Sequence, residues 1–103
     1  MNQLKQRMFS VVLEECAKRY NVTLEELLST TRKMNIIEAR HMAIYILREN
    51  LLITLKEIGH KLGGYDHTTI IHAHKKIGEF MDWSDVTNED YFNICSNISK
   101  RIV

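Results

Sequence analysis

Asp66-His67-Thr68-Thr69 sets a carboxylate, an imidazole and two hydroxyls in four consecutive positions, and His72, Lys75 and Lys76 follow closely. Ile70, Ala73, Ile77 and Phe80 or Met81 recur at helical spacing, so the stretch after Asp66 reads as a helix with an apolar stripe. Thr68, His72, Lys75 and Glu79 then fall on the opposite stripe. A helix whose first turn carries short donors, with one face left for a core, is built like the second helix of a helix-turn-helix. The N-terminal residues of that helix meet base edges in the major groove. Two other chemistries fit these residues poorly. His72 and His74 are two apart on a helix and point away from each other, and no cysteine is near, so a metal site is not indicated. No nucleophile elbow, phosphate loop or paired-acid motif is present, so the chain does not read as an enzyme and needs no cofactor or small-molecule substrate.

The flanking sequence supplies the elements that would hold such a helix. Thr54 with Glu57 three residues on reads as a capping box opening a short helix through Ile58 and Leu62. Gly63 and Gly64 end it, and Asp66 starts the next after a gap of three or four residues. The spacing predicts a helix-turn-helix over about Leu55 to Met81. Upstream, an amphipathic helix is expected from Gln3 to Tyr20, with Asn21 suited to its C-terminus because asparagine tolerates the left-handed conformation. Thr23 and Glu26 form a capping box for a second, short helix. Ser29 to Met34 reads as a polar loop carrying Arg32 and Lys33, and Asn35 with Glu38 as a further capping box. Ala39, Met42, Ala43, Ile46 and Leu47 give a packed central helix. Arg40 falls off that stripe, where it reaches a phosphate or is simply solvated. After a loop over residues 82–86, Thr87 or Asn88 is expected to cap a last helix with Tyr91, Ile94, Cys95, Ile98 and Ile102 on one stripe. The expected architecture is all-α, about six helices in one domain over residues 1–103.

The run Gly-Gly-Tyr-Asp-His-Thr-Thr-Ile-Ile-His-Ala-His-Lys-Lys-Ile, residues 63–77, closely resembles the signature of the C-terminal DNA-binding domain of the bacterial replication initiator DnaA. The resemblance extends over roughly Val11 to Ile98. It implies a fold of the Trp-repressor and DnaA C-terminal kind, and binding to double-stranded DNA at DnaA-box-like sites. It also implies roles for single residues. Asp66 is placed to meet a cytosine amino group, besides serving as an N-cap. His67 would meet base edges or lie on a plain surface, and Thr68 offers a methyl to a thymine methyl. Thr69 would donate to a phosphate or back-bond within its own turn. His72 belongs to the same face, Lys75 and Lys76 suit phosphate or a solvated face, and His74 suits the core edge. Arg32 and Lys33 lie in a loop that resembles the family's minor-groove element, and Arg40 is the one arginine kept from the family's Arg-Pro-Arg run.

Three positions depart from that pattern: Met34, Glu38 and Tyr65 stand where the family usually has arginine. Met34 removes a minor-groove cation, Glu38 would repel phosphate, and Tyr65 has a single hydroxyl in place of a bidentate fork. The central readout is therefore expected to survive while flanking contacts weaken, with Tyr65→Arg regaining affinity.

Lys+Arg 14 against Asp+Glu 13 leaves a net charge of only +1, low for a phosphate-binding domain. The distribution is uneven: residues 1–34 carry +2, while residues 82–103 carry −2. The charge balance supports an alternative of another class, a helical interaction module that kept the fold and largely lost DNA affinity. Cys16 and Cys95 are isolated on apolar stripes and read as buried thiols, which with the lack of a signal-like or membrane-length apolar run suggests the cytoplasm. The Met1 start and the fading resemblance at both ends point to a free-standing small protein or a divergent copy, with a fragment of an initiator as the other expectation.

Overall fold

Six helices form in the expected order: α1 (Gln3–Arg19), α2 (Leu24–Leu27), α3 (Met34–Glu49), α4 (Leu55–Lys61), α5 (His67–Met81) and α6 (Asp85–Ile102). The computed structural model describes residues 2–102, and no strand occurs among them; Met1 and Val103, the ends of the expected unit, lie outside the described residues.

Local signals set most helix ends. Asn21 takes φ 56°, and the amides of Asn21 and Val22 return to the carbonyls of Lys18 and Ala17, closing α1 in a Schellman motif. The Thr23–Glu26 capping box forms in both directions, and the Thr54 hydroxyl accepts from the Glu57 amide. Two expected caps are corrected. α3 begins at Met34 with Lys33 at its N-cap and no side-chain cap, so Asn35 already lies inside the first turn and cannot hold the extended backbone a capping box needs. α6 begins earlier than expected, because the Ser84 hydroxyl accepts from the Thr87 amide and shortens the preceding loop.

The core gathers around α3, which packs against α1 on one side and α5 on the other; α6 lies along α1, and α4 leans on α5. Ala39 and Ala43 are fully buried between Met42, Ile46 and Leu47, and their small side chains let the neighbouring helices approach. Ile58 and Leu62 of the first helix-turn-helix element meet Ile70, Ala73 and Ile77 of the second in the same cluster. Cys16 is fully buried there, and burial raises its thiol far above its ordinary value. Cys95 is only partly buried.

Candidate nucleic-acid interface

The turn between α4 and α5 is set by three glycines. Gly63 and Gly64 take φ 113° and 80°, and the amides of Gly64 and Tyr65 both donate to the Gly59 carbonyl, at 3.0 and 2.9 Å. Five residues separate the two helices, a little more than the expected three or four. Gly59 is the position that sequence reasoning passed over. A Cβ there would lie 2.7 Å from the Tyr65 carbonyl oxygen and 3.0 Å from Ile70 Cγ1. The third glycine thus fixes how closely α5 docks on α4.

Asp66 caps α5 as its sequence position suggests, with Oδ1 accepting from the Thr68 amide at 3.0 Å. Behind it Ile70, Ala73 and Ile77 are buried, so the opposite stripe is turned outward. His67, Thr68, Thr69, His72, Lys75 and Lys76 are all exposed. One short N-terminal turn therefore presents a carboxylate, an imidazole and two hydroxyls to solvent, beside unpaired helix amides. The two lysines follow side by side about two turns later, and the Lys76 ammonium rests 5.9 Å from the centre of the Phe80 ring. His74 takes the core-edge place: its Nε2 is 2.7 Å from Glu49 Oε1, and its ring stacks on Tyr45.

Arg32 and Lys33 are exposed on the segment joining α2 to α3. What holds that segment is Arg40, and here the expectation of a solvated or phosphate-reaching side chain is corrected. Arg40 is only 7% exposed. Its guanidinium donates to the carbonyls of Leu27 at 2.9 Å, Ser29 at 2.6 Å and Thr31 at 3.3 Å. The charge is consumed inside, as a clamp on the turn that carries Arg32. Position 40 in fact shares a helical stripe with Ile36, Ala43 and Leu47, all buried; that spacing was the available signal.

Tyr65 is corrected in the same way, since it does not offer a free donor to DNA. It is half-buried, and its hydroxyl donates to the Ser29 carbonyl at 2.9 Å, while the Arg40 guanidinium lies 5.7 Å from its ring centre. Ser29 is thereby tied both to α3 and to the turn before α5, and the basic segment is held in register with the exposed first turn of α5. Tyr65→Phe is expected to cost about 1 kcal/mol of stability for the lost hydrogen bond. Amide exchange of residues 30–33 should speed up in that variant while exchange in the middle of α3 is unchanged; equal exchange at 30–33 would contradict the tie.

Met34 is exposed, and Glu38 faces solvent from the first half of α3. Burial lowers the pKa of the neighbouring His41 to about 4, with Lys76 and Arg40 adding to the effect, so this imidazole is neutral near pH 7. Among the described residues no group of three or more His, Cys, Asp or Glu is placed to hold a metal ion, and no helix is long and apolar enough to cross a membrane.

A sequence model of the family described as "Bacterial dnaA protein helix-turn-helix" matches residues 9–77, from α1 through the buried stripe of α5. The chain belongs to the bacterial DnaA helix-turn-helix family. It is similar to the chromosomal replication initiator protein DnaA of Cutibacterium acnes, 35% identical over 91 residues that cover 88% of this chain and 17% of that protein. It is also similar to the protein of the same name from Streptococcus thermophilus, 40% identical over 74 residues, 72% of this chain and 16% of that protein. The chain thus spans about a sixth of the length of these DnaA relatives. The matched family segment contains α4, α5 as far as Ile77 and the Arg40 clamp; α6 lies beyond it.

Proposed function

We propose that this chain, acting as one unit over residues 1–103, binds double-stranded DNA and reads a DnaA-box-like sequence by placing the first turn of α5 in the major groove. The observation that carries the reading is the exposed, Asp66-capped turn of His67, Thr68 and Thr69 on a helix whose other stripe is buried. In this reading His67 and Thr68 meet base edges, and Asp66 keeps one carboxylate oxygen for a cytosine amino group while the other caps the helix. Thr69 and the helix amides take a phosphate. Lys75 and Lys76 add phosphate contacts along the groove wall, with His72 between the two sets. Arg32 and Lys33, carried on the clamped segment, reach the neighbouring backbone or minor groove. The setting is replication initiation, as the names of the relatives suggest, and its proposed place is the cytoplasm.

Base-reading and phosphate contacts separate by experiment. Thr68→Ala should cost about 1–3 kcal/mol on the preferred duplex and little on unrelated sequence. Lys75→Ala should weaken all duplexes alike and reduce the salt slope by about 1. Selection from a random duplex library tests the reading itself. An enriched motif that Thr68→Ala blurs at a single position supports it. A library that yields no motif, with no binding at low salt, hands the chain to the interaction-module alternative, which the net charge of +1 favours.

A further inference from the structure

The α1/α6 pair ends in two surfaces of opposite character. At one end, the first half of α3, the second half of α5 and the start of α6 enclose a groove of about 380 Å³. Its lining includes Met34, Ile37, Phe80, Trp83 and Val86. Trp83, Val86 and Met34 are 71%, 69% and 68% exposed, an unusual concentration of apolar surface on so small a domain. Acids surround it: Glu38 lines the groove, and Asp82, Asp85 and Glu89 flank Trp83 and Val86 in sequence and are exposed. The countercharges are fewer. Lys76 lies at the rim, and Arg19 is engaged by Asp90 at 2.9 Å, with Glu89 at 3.9 Å.

At the other end, where α1 begins and α6 finishes, Leu4, Met8 and Ile102 line a shallow apolar depression together with Arg7 and Arg101. Leu4 is 65% exposed. Lys5, Arg7 and Lys100 are exposed there, while Arg101 is held by Glu14 and Glu15, at 2.6 and 2.8 Å. The surplus at this end is positive. The two ends are separated by the length of α1, about 25 Å for its 17 residues.

We propose that this domain associates head to tail with a second copy of itself, the apolar, basic end of one copy seating Leu4 in the apolar, acid-rimmed groove of the next. The charge complementarity selects the occupant: the groove asks for an apolar anchor with cationic neighbours, and the far end of the same fold presents one. Because the two faces differ, the contact is heterologous, and each copy leaves one face open for another; association continues past the dimer instead of closing. Each face is small, well under the area of a stable permanent interface, so the contact is weak and depends on concentration. Its charged rim makes it weaken with salt. The association does not require DNA, and its failure would leave the DNA-reading proposal standing.

Charge reversal with mixing tests it. Sedimentation velocity of the 103-residue chain, from micromolar to millimolar at low salt, should show a weight-average mass rising past the dimer without a plateau and returning to monomer at high salt. Asp82→Lys/Asp85→Lys should remain monomeric, since its groove and its far end are then both basic. Lys5→Glu/Arg7→Glu should remain monomeric for the opposite reason. An equimolar mixture of the two should associate again, because the altered groove of one matches the altered far end of the other and their unaltered faces still match each other. All four positions are exposed, so helical circular dichroism should match the parent. Trp83→Ser should weaken association roughly tenfold with the charges intact, for the loss of one apolar anchor. A parent that stays at monomer mass throughout, a plateau at dimer that neither reversal disturbs, or a mixture that remains monomeric would overturn the proposal.

Discussion

Arg40→Ala is expected to lower the unfolding free energy by about 3 kcal/mol, roughly 15 °C in Tm for a domain of this size. The guanidinium holds three backbone carbonyls, those of Leu27, Ser29 and Thr31, from a position that is almost fully buried. Alanine takes the guanidinium away from the Leu27 and Thr31 carbonyls, leaves Ser29 with the Tyr65 hydroxyl alone, opens a void beside Leu27, and releases the turn that carries Arg32 and Lys33. Water entering the opened turn will satisfy some of the carbonyls, which keeps the cost below the sum of three charge-assisted bonds. Arg40→Lys should recover less than half, because a single ammonium cannot reach three carbonyls spread over residues 27–31 in the way a planar fork does. Urea titration followed by circular dichroism measures both. The folded Arg40→Ala protein should keep the salt slope of its DNA binding, since the charge it loses never faced a phosphate. A variant as stable as the parent whose salt slope drops by one cation would show instead that Arg40 grips DNA.

Gly59→Ala should act on the helix-turn-helix itself. Alanine raises helix propensity by about 1 kcal/mol, but its Cβ has no room: 2.7 Å from the Tyr65 carbonyl oxygen is closer than carbon and oxygen tolerate, and Ile70 Cγ1 closes the other side at 3.0 Å. The Tyr65 backbone cannot simply step away, because its amide and that of Gly64 are bonded to the Gly59 carbonyl. Overpacking of this kind costs about 1–3 kcal/mol, so a net loss of up to about 2 kcal/mol is expected. The larger effect should be on recognition, since any relief of the clash moves the start of α5 relative to α4 and to the 29–33 segment. Affinity for the preferred duplex should fall more than tenfold, with non-specific affinity nearly kept. Gly64→Ala, which meets no neighbour but must hold φ 80°, should cost about 1 kcal/mol of stability without that selective loss. Equal specific affinity in Gly59→Ala and the parent would mean that the close approach of α4 and α5 does not position the reading turn.

Much of this arrangement was legible from residue types. The buried stripe of α5 follows from Ile70, Ala73 and Ile77 at helical spacing, and the start of the helix from Asp66 after two glycines. Caps were legible at Thr23, Thr54 and Asp66, but at α6 the Ser84 hydroxyl caps the helix ahead of the expected Thr87 or Asn88. α3 starts without a side-chain cap, so no local pattern could fix its first residue, and the Asn35–Glu38 spacing misled. Arg40 and Tyr65 were misread for a different reason. A long cationic side chain on a helix usually reaches water, and only the tertiary placement of the α2–α3 turn reveals that three carbonyls converge on this one. Tyr65 likewise looked like a lost arginine. Its hydroxyl bonds to Ser29, 36 residues away in sequence, and no spacing rule reports such a partner. Gly59 was invisible because a lone glycine in a helix pattern usually means little; here the neighbour that needs the space comes from the next element. The outward stripe of His67, Thr68, Thr69 and His72 was legible because the apolar stripe left it nowhere else to face.

If this outward stripe reads duplex DNA, an equilibrium titration of the parent chain will show it. Two duplexes of equal length would be compared, one carrying a DnaA-box sequence and one the same bases scrambled, across a range of salt. Arg32, Lys33, Lys75 and Lys76 are the exposed cations of the proposed interface, so log K against log salt should fall with a slope of about −3 to −4 on both duplexes. The box duplex should hold an advantage of roughly ten- to a hundredfold that salt does not erase, because base-edge contacts release few counterions. Binding with no salt dependence, or binding to neither duplex at low salt, would contradict the account.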